Sequence, residues 1–154
     1  MNCNELSKCE ICEIIENNSF AAISVVTPNN NPYVIPILYG YDNDCGDSIF
    51  YFIVNNTNSL LLDSINQNNN VAILIQDHYA CNSRIYGDQI NFSSIIAYGN
   101  ASYVTDCRDK QKIIQFINNT SCENQRFISK YINTSDAIVI KVCVNRITSK
   151  RYVF

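Results

Sequence analysis

The chain has 154 residues, 47% hydrophobic and 16% charged, with a formal net charge of −3. This length suits one domain with a sizeable core, and the weak acidic balance argues against nucleic acid, whose binding requires a basic face. No apolar run approaches the ~20 residues that span a bilayer, and residues 1–18 carry glutamates where a signal peptide would be basic. We therefore expect residues 1–154 to form a single cytoplasmic domain with no membrane partner.

The first third of the chain predicts one helix and two strands. Ser7 and Glu10 form an S-x-x-E capping box, so a helix is expected from about Lys8 to Asn17. The apolar run from Phe20 to Thr27 predicts a buried strand. A second strand is predicted from Pro32 to Tyr41, a run that contains two prolines, with a turn between the two strands. Because proline has no N–H for a ladder, the Pro32 to Pro36 part must lie at a sheet edge or face something other than a strand.

The stretch FYFIVNNTNSLLLDSI, residues 50–65, is the feature most suggestive of a binding site. It predicts a buried strand over Phe50 to Val54, a polar loop over Asn55 to Ser59 and a short helix over Leu60 to Ile65. The start of such a helix presents main-chain N–H groups at its positive end, where a phosphate or another anion can bind. No Lys or Arg lies within this stretch.

The remainder predicts further strands separated by helices. Helices are expected after Asp106, which caps the first, and over Glu123 to Tyr131. Residues 77–88 are expected to be irregular. Strands are predicted over Val71 to Gln76, Phe92 to Val104, Ala137 to Val144 and Arg146 to Val153. Strands at short intervals with hairpin turns favour an antiparallel barrel over a doubly wound sheet.

Several side-chain groups have both a functional and a structural interpretation. Cys9 and Cys12 lack the second ligand pair of a zinc site, and we interpret them as packing residues in a helix. The eight cysteines are expected to be reduced thiols. His78 is interpreted as a solvated loop residue. Most of a set of tyrosines are expected in the core or at its rim, although some could wall a flat aromatic ligand: Tyr33, Tyr39, Tyr41, Tyr51, Tyr86, Tyr98 and Tyr103.

Taken together, the order of these elements resembles the FMN-binding split barrel proteins related to pyridoxamine 5'-phosphate oxidase, and most closely their nitroimidazole-resistance (Nim) branch. The resemblance extends from Cys12 to about Lys150. It is carried by the P-Y-V-I-P strand at residues 32–36, the strand, loop and short helix of residues 50–65, and S-I-I-x-x-G-x-A at residues 94–101.

The resemblance implies a mainly β fold, a six-stranded antiparallel split β-barrel with peripheral helices, assembled as a homodimer with FMN at the subunit interface. The flavin ring would lie along residues 32–37 and 52–54, with the phosphate near residues 55–59. The residues expected to bind FMN are Pro36, Ile37, Phe52, Ile53, Val54, Asn55, Thr57, Asn58, Ser59, Leu61 and Ser94.

Two positions depart from the family pattern. Family members commonly carry a Lys for the phosphate where this chain has Leu61, and many Nim proteins carry a His where this chain has Ile53 or Val54. A lost cation removes a charge-assisted contact of roughly 1.5–3 kcal/mol. Arg84 or Lys150 could supply a cation from elsewhere or from a partner subunit.

Three functional hypotheses follow. The first is an FMN-dependent oxidoreductase that passes hydride from a nicotinamide nucleotide or another donor to a small organic acceptor, such as a nitro compound. No protein acid or base is identified for that reaction. The second is a non-catalytic protein that binds FMN or another flat ligand in the same groove. A cysteine-based metal protein ranks well below both.

Overall fold

A computed structural model describes residues 2–43, 46–83, 87–120, 122–131 and 135–153. Within these ranges the chain forms seven strands and four helices. The strands are Asn2–Asn4 (β1), Phe20–Val26 (β2), Pro32–Asp42 (β3), Ile49–Asn55 (β4), Asn70–Ser83 (β5), Gly87–Tyr103 (β6) and Ala137–Val153 (β7). The helices are Lys8–Asn17 (α1), Ser59–Gln67 (α2), Cys107–Thr120 (α3) and Cys122–Tyr131 (α4).

Six of the strands close a barrel. The sheet order is β1-β7-β4-β3-β2-β5-β6, and β6 also pairs with β7, so that β2 to β7 form a closed ring. Each recorded pair is antiparallel. The short β1 lies alongside the end of β7 and pairs with its residues 151–153. The predicted mainly β, six-stranded antiparallel split barrel with peripheral helices is therefore confirmed.

Two strand predictions are wrong in extent. The two strands predicted at the C-terminus are one continuous β7, and only a register shift at Tyr98 and Gly99, which leaves Asn145 without a Cα partner, marks the expected break. The predicted irregular segment at 77–88 is instead β5 continuing to Ser83 and β6 beginning at Gly87. His78 therefore lies in a strand, paired with Phe92. Its side chain, like Arg84 and Tyr86, lies outside the described residues.

The predicted helix starts are confirmed. The N–H of Glu10 donates to the Ser7 hydroxyl at 3.3 Å, and the N–H of Ser7 donates to the Glu10 carboxylate at 2.9 Å, completing the capping box. The Asp106 carboxylate likewise accepts from the N–H groups of Arg108 and Asp109. Among the described residues, none of these helices is long and apolar enough to cross a membrane.

Alternation along the strands produces two hydrophobic clusters. Inward-facing residues such as Ile23, Phe50 and Ile73 are fully buried and fill the barrel. On the outer surface, Leu38 and Ile53 pack against residues of α3 and α4, and these form a second cluster outside the barrel. Helices α3 and α4 thus cover one outer face, over β3 and β4.

Candidate functional site

The barrel wall opens between β3 and β4. These strands pair only over Tyr39–Asp42 and Ile49–Phe52. Beyond the Tyr39–Phe52 pair, residues 32–38 of β3 pair with β2, and residues 53–55 of β4 pair with β7, but these two segments do not pair with each other. This unpaired stretch, the split, confirms the prediction that the Pro32 to Pro36 segment faces something other than a strand.

The ladder register explains both prolines. The N–H of Thr27 donates to the Asn31 carbonyl at 2.8 Å and the N–H of Tyr39 donates to the Ser19 carbonyl at 3.1 Å. Hydrogen-bonded pairs alternate along an antiparallel ladder, so odd-numbered residues of β3 bond to β2. The main-chain groups of Pro32, Val34 and Pro36 therefore point into the split, where proline costs no ladder hydrogen bond.

An apolar cavity of about 130 Å³ occupies the split. Its walls come from residues 35–38 of β3, the end of β4, the loop before α2, the start of β2 and the middle of α4. The lining residues are Phe20, Ile35, Pro36, Ile37, Leu38, Ile53, Val54, Asn55, Asn58 and Phe127. None of these ten side chains is ionisable, so hydrophobic contact and hydrogen bonds from amides and the main chain are what this cavity offers a ligand.

The structure gathers most of the predicted site residues and separates the others. The cavity includes six of them: Pro36, Ile37, Ile53, Val54, Asn55 and Asn58. Thr57 and Ser59 lie beside it, exposed at the turn and at the first residue of α2. Phe52 and Leu61 do not line the cavity, and their side chains are 0% and 1% exposed within the barrel core. Ser94 lies on β6, paired with Gln76 and Lys150 and away from the cavity.

The start of α2 borders the same cavity. Asn58 is the N-cap residue, and its side chain makes no capping hydrogen bond. The first turn of α2 carries no acidic residue, and the first intrahelical bond at this end runs from the Leu62 N–H to the Asn58 carbonyl. The N–H groups of residues 59–61 precede that bond and have no acceptor within the helix. This end therefore favours an anion through partial positive charge alone.

Three lining residues were not predicted from the sequence. Leu38 follows from the period-2 pattern, since it shares the outer face of β3 with Pro36. Phe20 comes near only because β2 pairs it with Leu38. Phe127 arrives from a distant helix and meets Phe20 edge-to-face, with ring centroids 5.5 Å apart at 86°. No local sequence signal identifies Phe127 as part of the site.

Three of the tyrosines lie in the barrel core or at its rim and not at the cavity. Tyr39 is buried and donates to the Ile15 carbonyl at 2.5 Å, and its burial raises the pKa of the phenol. Tyr41 contacts the Ser48 hydroxyl, and Tyr103 donates to the Leu62 carbonyl. None of these lines the cavity. The prediction that most tyrosines serve the core or its rim is confirmed for these three residues.

Four cysteines whose side chains the structure describes are free thiols: Cys9, Cys12, Cys107 and Cys143. Cys12 is half-buried, whereas Cys9 is exposed, so the interpretation of both as packing residues is wrong for Cys9. Within the described ranges, no three His, Cys, Asp or Glu side chains are grouped closely enough to hold a metal ion.

A second surface feature is the outer face of β3, β2, β5 and β6. Val34, Phe20 and Val26 are 58%, 45% and 38% exposed on this face. Register aligns small and apolar residues across it, including the row Pro36, Ala22, Leu74 and Ile96. At its β7 border the Arg146 guanidinium lies 4.1 Å from the Tyr98 ring centroid, and Lys150, which pairs with Ser94 further along β7, is also exposed. This face is apolar with a basic border.

Known proteins share both the sequence pattern and the fold. The pattern of the family described as pyridoxamine 5'-phosphate oxidase matches residues 7–150. A solved structure of a candidate 5-nitroimidazole antibiotic resistance protein from Bacteroides thetaiotaomicron has a TM-score of 0.77 and 20% identity, over 99% of this chain and 90% of that one. No curated protein sequence matches the chain.

Two further solved structures with this fold are named for different ligands. An FAD-binding protein from Mesorhizobium loti has a TM-score of 0.73 and 14% identity over 99% of each chain. The heme storage protein HutZ from Vibrio cholerae has a TM-score of 0.66 and 12% identity, over 93% of this chain and 94% of that one. At such identities the likeness establishes the fold alone.

Proposed function

The chain belongs to the pyridoxamine 5'-phosphate oxidase family, and we propose that it is a flavin-binding protein that holds FMN in the split between β3 and β4. The observation that carries this proposal is the apolar cavity at the stretch where these strands do not pair. A flat heteroaromatic ring needs apolar walls on its faces and hydrogen-bonding groups at its edge. The split supplies both, because main-chain groups of Val34 and Pro36 point into it beside Ile53 and Val54.

The phosphate of FMN is proposed to bind at the start of α2. Asn58 lies at the cavity and Ser59 is exposed at the first turn, so a phosphate there would meet main-chain N–H groups and short polar side chains. The cavity lining contributes no cation. We therefore expect FMN to bind more weakly than it would at a site with a buried lysine, by about the 1.5–3 kcal/mol of one charge-assisted hydrogen bond.

A haem ligand is less well supported than a flavin. Haem iron is held in proteins by His, Cys, Met or Tyr side chains. None of the ten residues that line the cavity is of these types. The cavity therefore favours an organic ring bound by its faces and edges over a metal-centred ligand.

The apolar outer face is proposed to form a homodimer interface. Its three exposed large side chains would be removed from water by a second copy of the same face. Lys150 is exposed on the β7 border, and we propose it as the cation that reaches the partner's FMN phosphate. Light scattering should give twice the chain mass of 17.5 kDa. Val34→Glu should give a folded monomer. The control is Phe116→Glu, which places the same charge on the exposed side of α3, outside the proposed interface, and should leave the dimer intact.

An oxidoreductase activity is proposed for the loaded protein, with a nicotinamide nucleotide as donor and a small organic acceptor. Bound FMN supplies the hydride chemistry. The chain's own residues supply an apolar wall and no ionisable group at the cavity, so a proton needed by the acceptor would come from solvent. The same absence keeps a non-catalytic FMN or flat-ligand binder as the alternative.

One purification separates these proposals. Yellow protein that releases FMN on denaturation supports flavin binding, and colourless protein that takes up no added FMN contradicts it. For yellow protein, anaerobic mixing with NADH or NADPH should bleach the flavin absorbance, and a nitroaromatic compound should restore it. Flavin that stays oxidised with both nucleotides would favour the non-catalytic binder.

A further inference from the structure

We propose that Phe127 on α4 is a movable wall of the cavity: its ring must move aside to admit a three-ring ligand and then packs against the exposed face of that ligand. This inference rests on the proposed flavin-binding function and deepens it. It assigns a role in ligand entry and retention to a helix that lies outside the barrel.

The position of Phe127 supports this role. Its ring lies over the cavity together with Leu38 and Ile53, which belong to the barrel wall. It contacts the edge of Phe20, a ring that is 45% exposed at the start of β2. The two rings form an aromatic pair at the cavity, and a ligand that enters between β3 and α4 must separate Phe127 from the wall it covers.

The small size of the cavity points to that movement. Sites for drug-sized ligands measure about 300–1,000 Å³, whereas this cavity measures about 130 Å³. The strand walls cannot widen easily, because β3 is paired with β2 along residues 32–38 and β4 with β7 along residues 49–55. The present volume accommodates a single aromatic ring, and a fused three-ring system would extend beyond it.

Helix α4 is the wall that can yield. It has only ten residues, a length at which a helix depends on tertiary packing for its stability. Its buried apolar anchor is Ile128, which packs with Leu38, Ile53 and Ile117. Side-chain packing of this kind can shift without breaking a β-ladder. Phe127, beside the anchor, would then meet the face of the ring, and aromatic contacts of this kind contribute a few-fold to ten-fold in affinity.

The test compares flavin binding kinetics in three variants. Phe127→Ala removes the wall, Phe127→Leu keeps much of its bulk but removes the aromatic face, and Phe116→Ala removes an exposed ring on α3 that does not line the cavity. Binding and release of FMN and of riboflavin are followed by stopped-flow flavin fluorescence, with thermal melting as the check on folding.

For both flavins we expect Phe127→Ala to bind faster and to release roughly 3- to 10-fold faster than wild type. Phe127→Leu should release faster with a nearly unchanged binding rate, and Phe116→Ala should match wild type. Release rates within twofold of wild type for a folded Phe127→Leu or Phe127→Ala would overturn the inference while leaving flavin binding intact. Wild-type protein that takes up neither flavin would contradict the proposed function, and this inference would fall with it.

Discussion

Adding one positive charge at the start of α2 should tighten FMN binding without affecting riboflavin. Leu60 is the suitable position, because it lies in the first turn of α2 and is 45% exposed. In Leu60→Lys the ammonium group stays solvated, so the expected gain is that of a good exposed ion pair, about 1 kcal/mol or about fivefold in the Kd for FMN. A lysine near a helix N-terminus also costs roughly 0.3–1 kcal/mol of stability.

That stability cost is common to both ligands, so the comparison between them isolates the phosphate. Fluorescence titrations with FMN and riboflavin should be run for wild type, Leu60→Lys and the uncharged control Leu60→Gln. The ratio of riboflavin Kd to FMN Kd should rise about fivefold in Leu60→Lys only, and this gain should shrink at high salt. An unchanged ratio, or an equal gain for riboflavin, would refute a phosphate site at α2.

The adjacent position should behave in the opposite way. Leu61 is 1% exposed in the barrel core, so Leu61→Lys removes core packing and places an ammonium group where water is excluded. Loss of a buried leucine alone costs about 2–5 kcal/mol. Urea denaturation should therefore show Leu61→Lys destabilised by about 3 kcal/mol or more, while Leu60→Lys stays within about 1 kcal/mol of wild type. Equal stabilities would contradict the burial of Leu61.

Three further predictions concern charge and packing. Ser59→Glu should weaken FMN binding but not riboflavin binding, through repulsion at α2, and equal affinities for FMN in variant and wild type would place the phosphate elsewhere. Hydrogen bonds from Ser7, and then Arg151 at 2.7 Å, lower the pKa of Glu10 from 4.5 to about 2. A lowered folded-state pKa stabilises the protein above pH 4.5, and this contribution is lost as pH falls from 4.5 towards 2. As pH falls from 4.5 towards 2, Tm should therefore fall more steeply in wild type than in Glu10→Gln. Parallel Tm profiles would contradict a stabilising role of the Glu10 carboxylate. Gly99→Ala should destabilise by about 1–3 kcal/mol in urea, because its Cβ would meet the Cys143 carbonyl oxygen; a loss under 0.5 kcal/mol would show that the bulge relaxes.

The sequence predicted the barrel and the opening in it for local reasons. Capping residues mark the helix starts, and two prolines in one strand exclude full pairing on both sides. The predicted site residues are only partly brought together by the structure, because the prediction assigned residues 52–54 to the site as one continuous segment, whereas only Ile53 and Val54 line the cavity. Strand alternation buries Phe52 inside the barrel while Ile53 faces outward. A similar alternation along the helix turns Leu61 inward and leaves Leu60 exposed.

The features that could not be predicted depend on distant parts of the chain. Phe127 reaches the cavity only through the packing of α4 on the outer wall, and a helix sequence does not indicate which strand it will cover. The break predicted before Arg146 is a bulge at Asn145. A polar residue in a bulge cannot be distinguished by sequence from a polar residue in a turn. Cross-strand pairing, as between Phe20 and Leu38, is likewise set by register rather than by local composition.

The two prolines of β3 also affect how the protein behaves at high concentration. A strand edge that faces solvent offers N–H and carbonyl groups on which another chain can add a strand, and this is a common start of aggregation. Along the edge of the split, positions 32 and 36 carry proline and offer only carbonyl groups. An incoming strand would find every second donor missing there. The opening can thus remain accessible to a small ligand while resisting addition of a further strand.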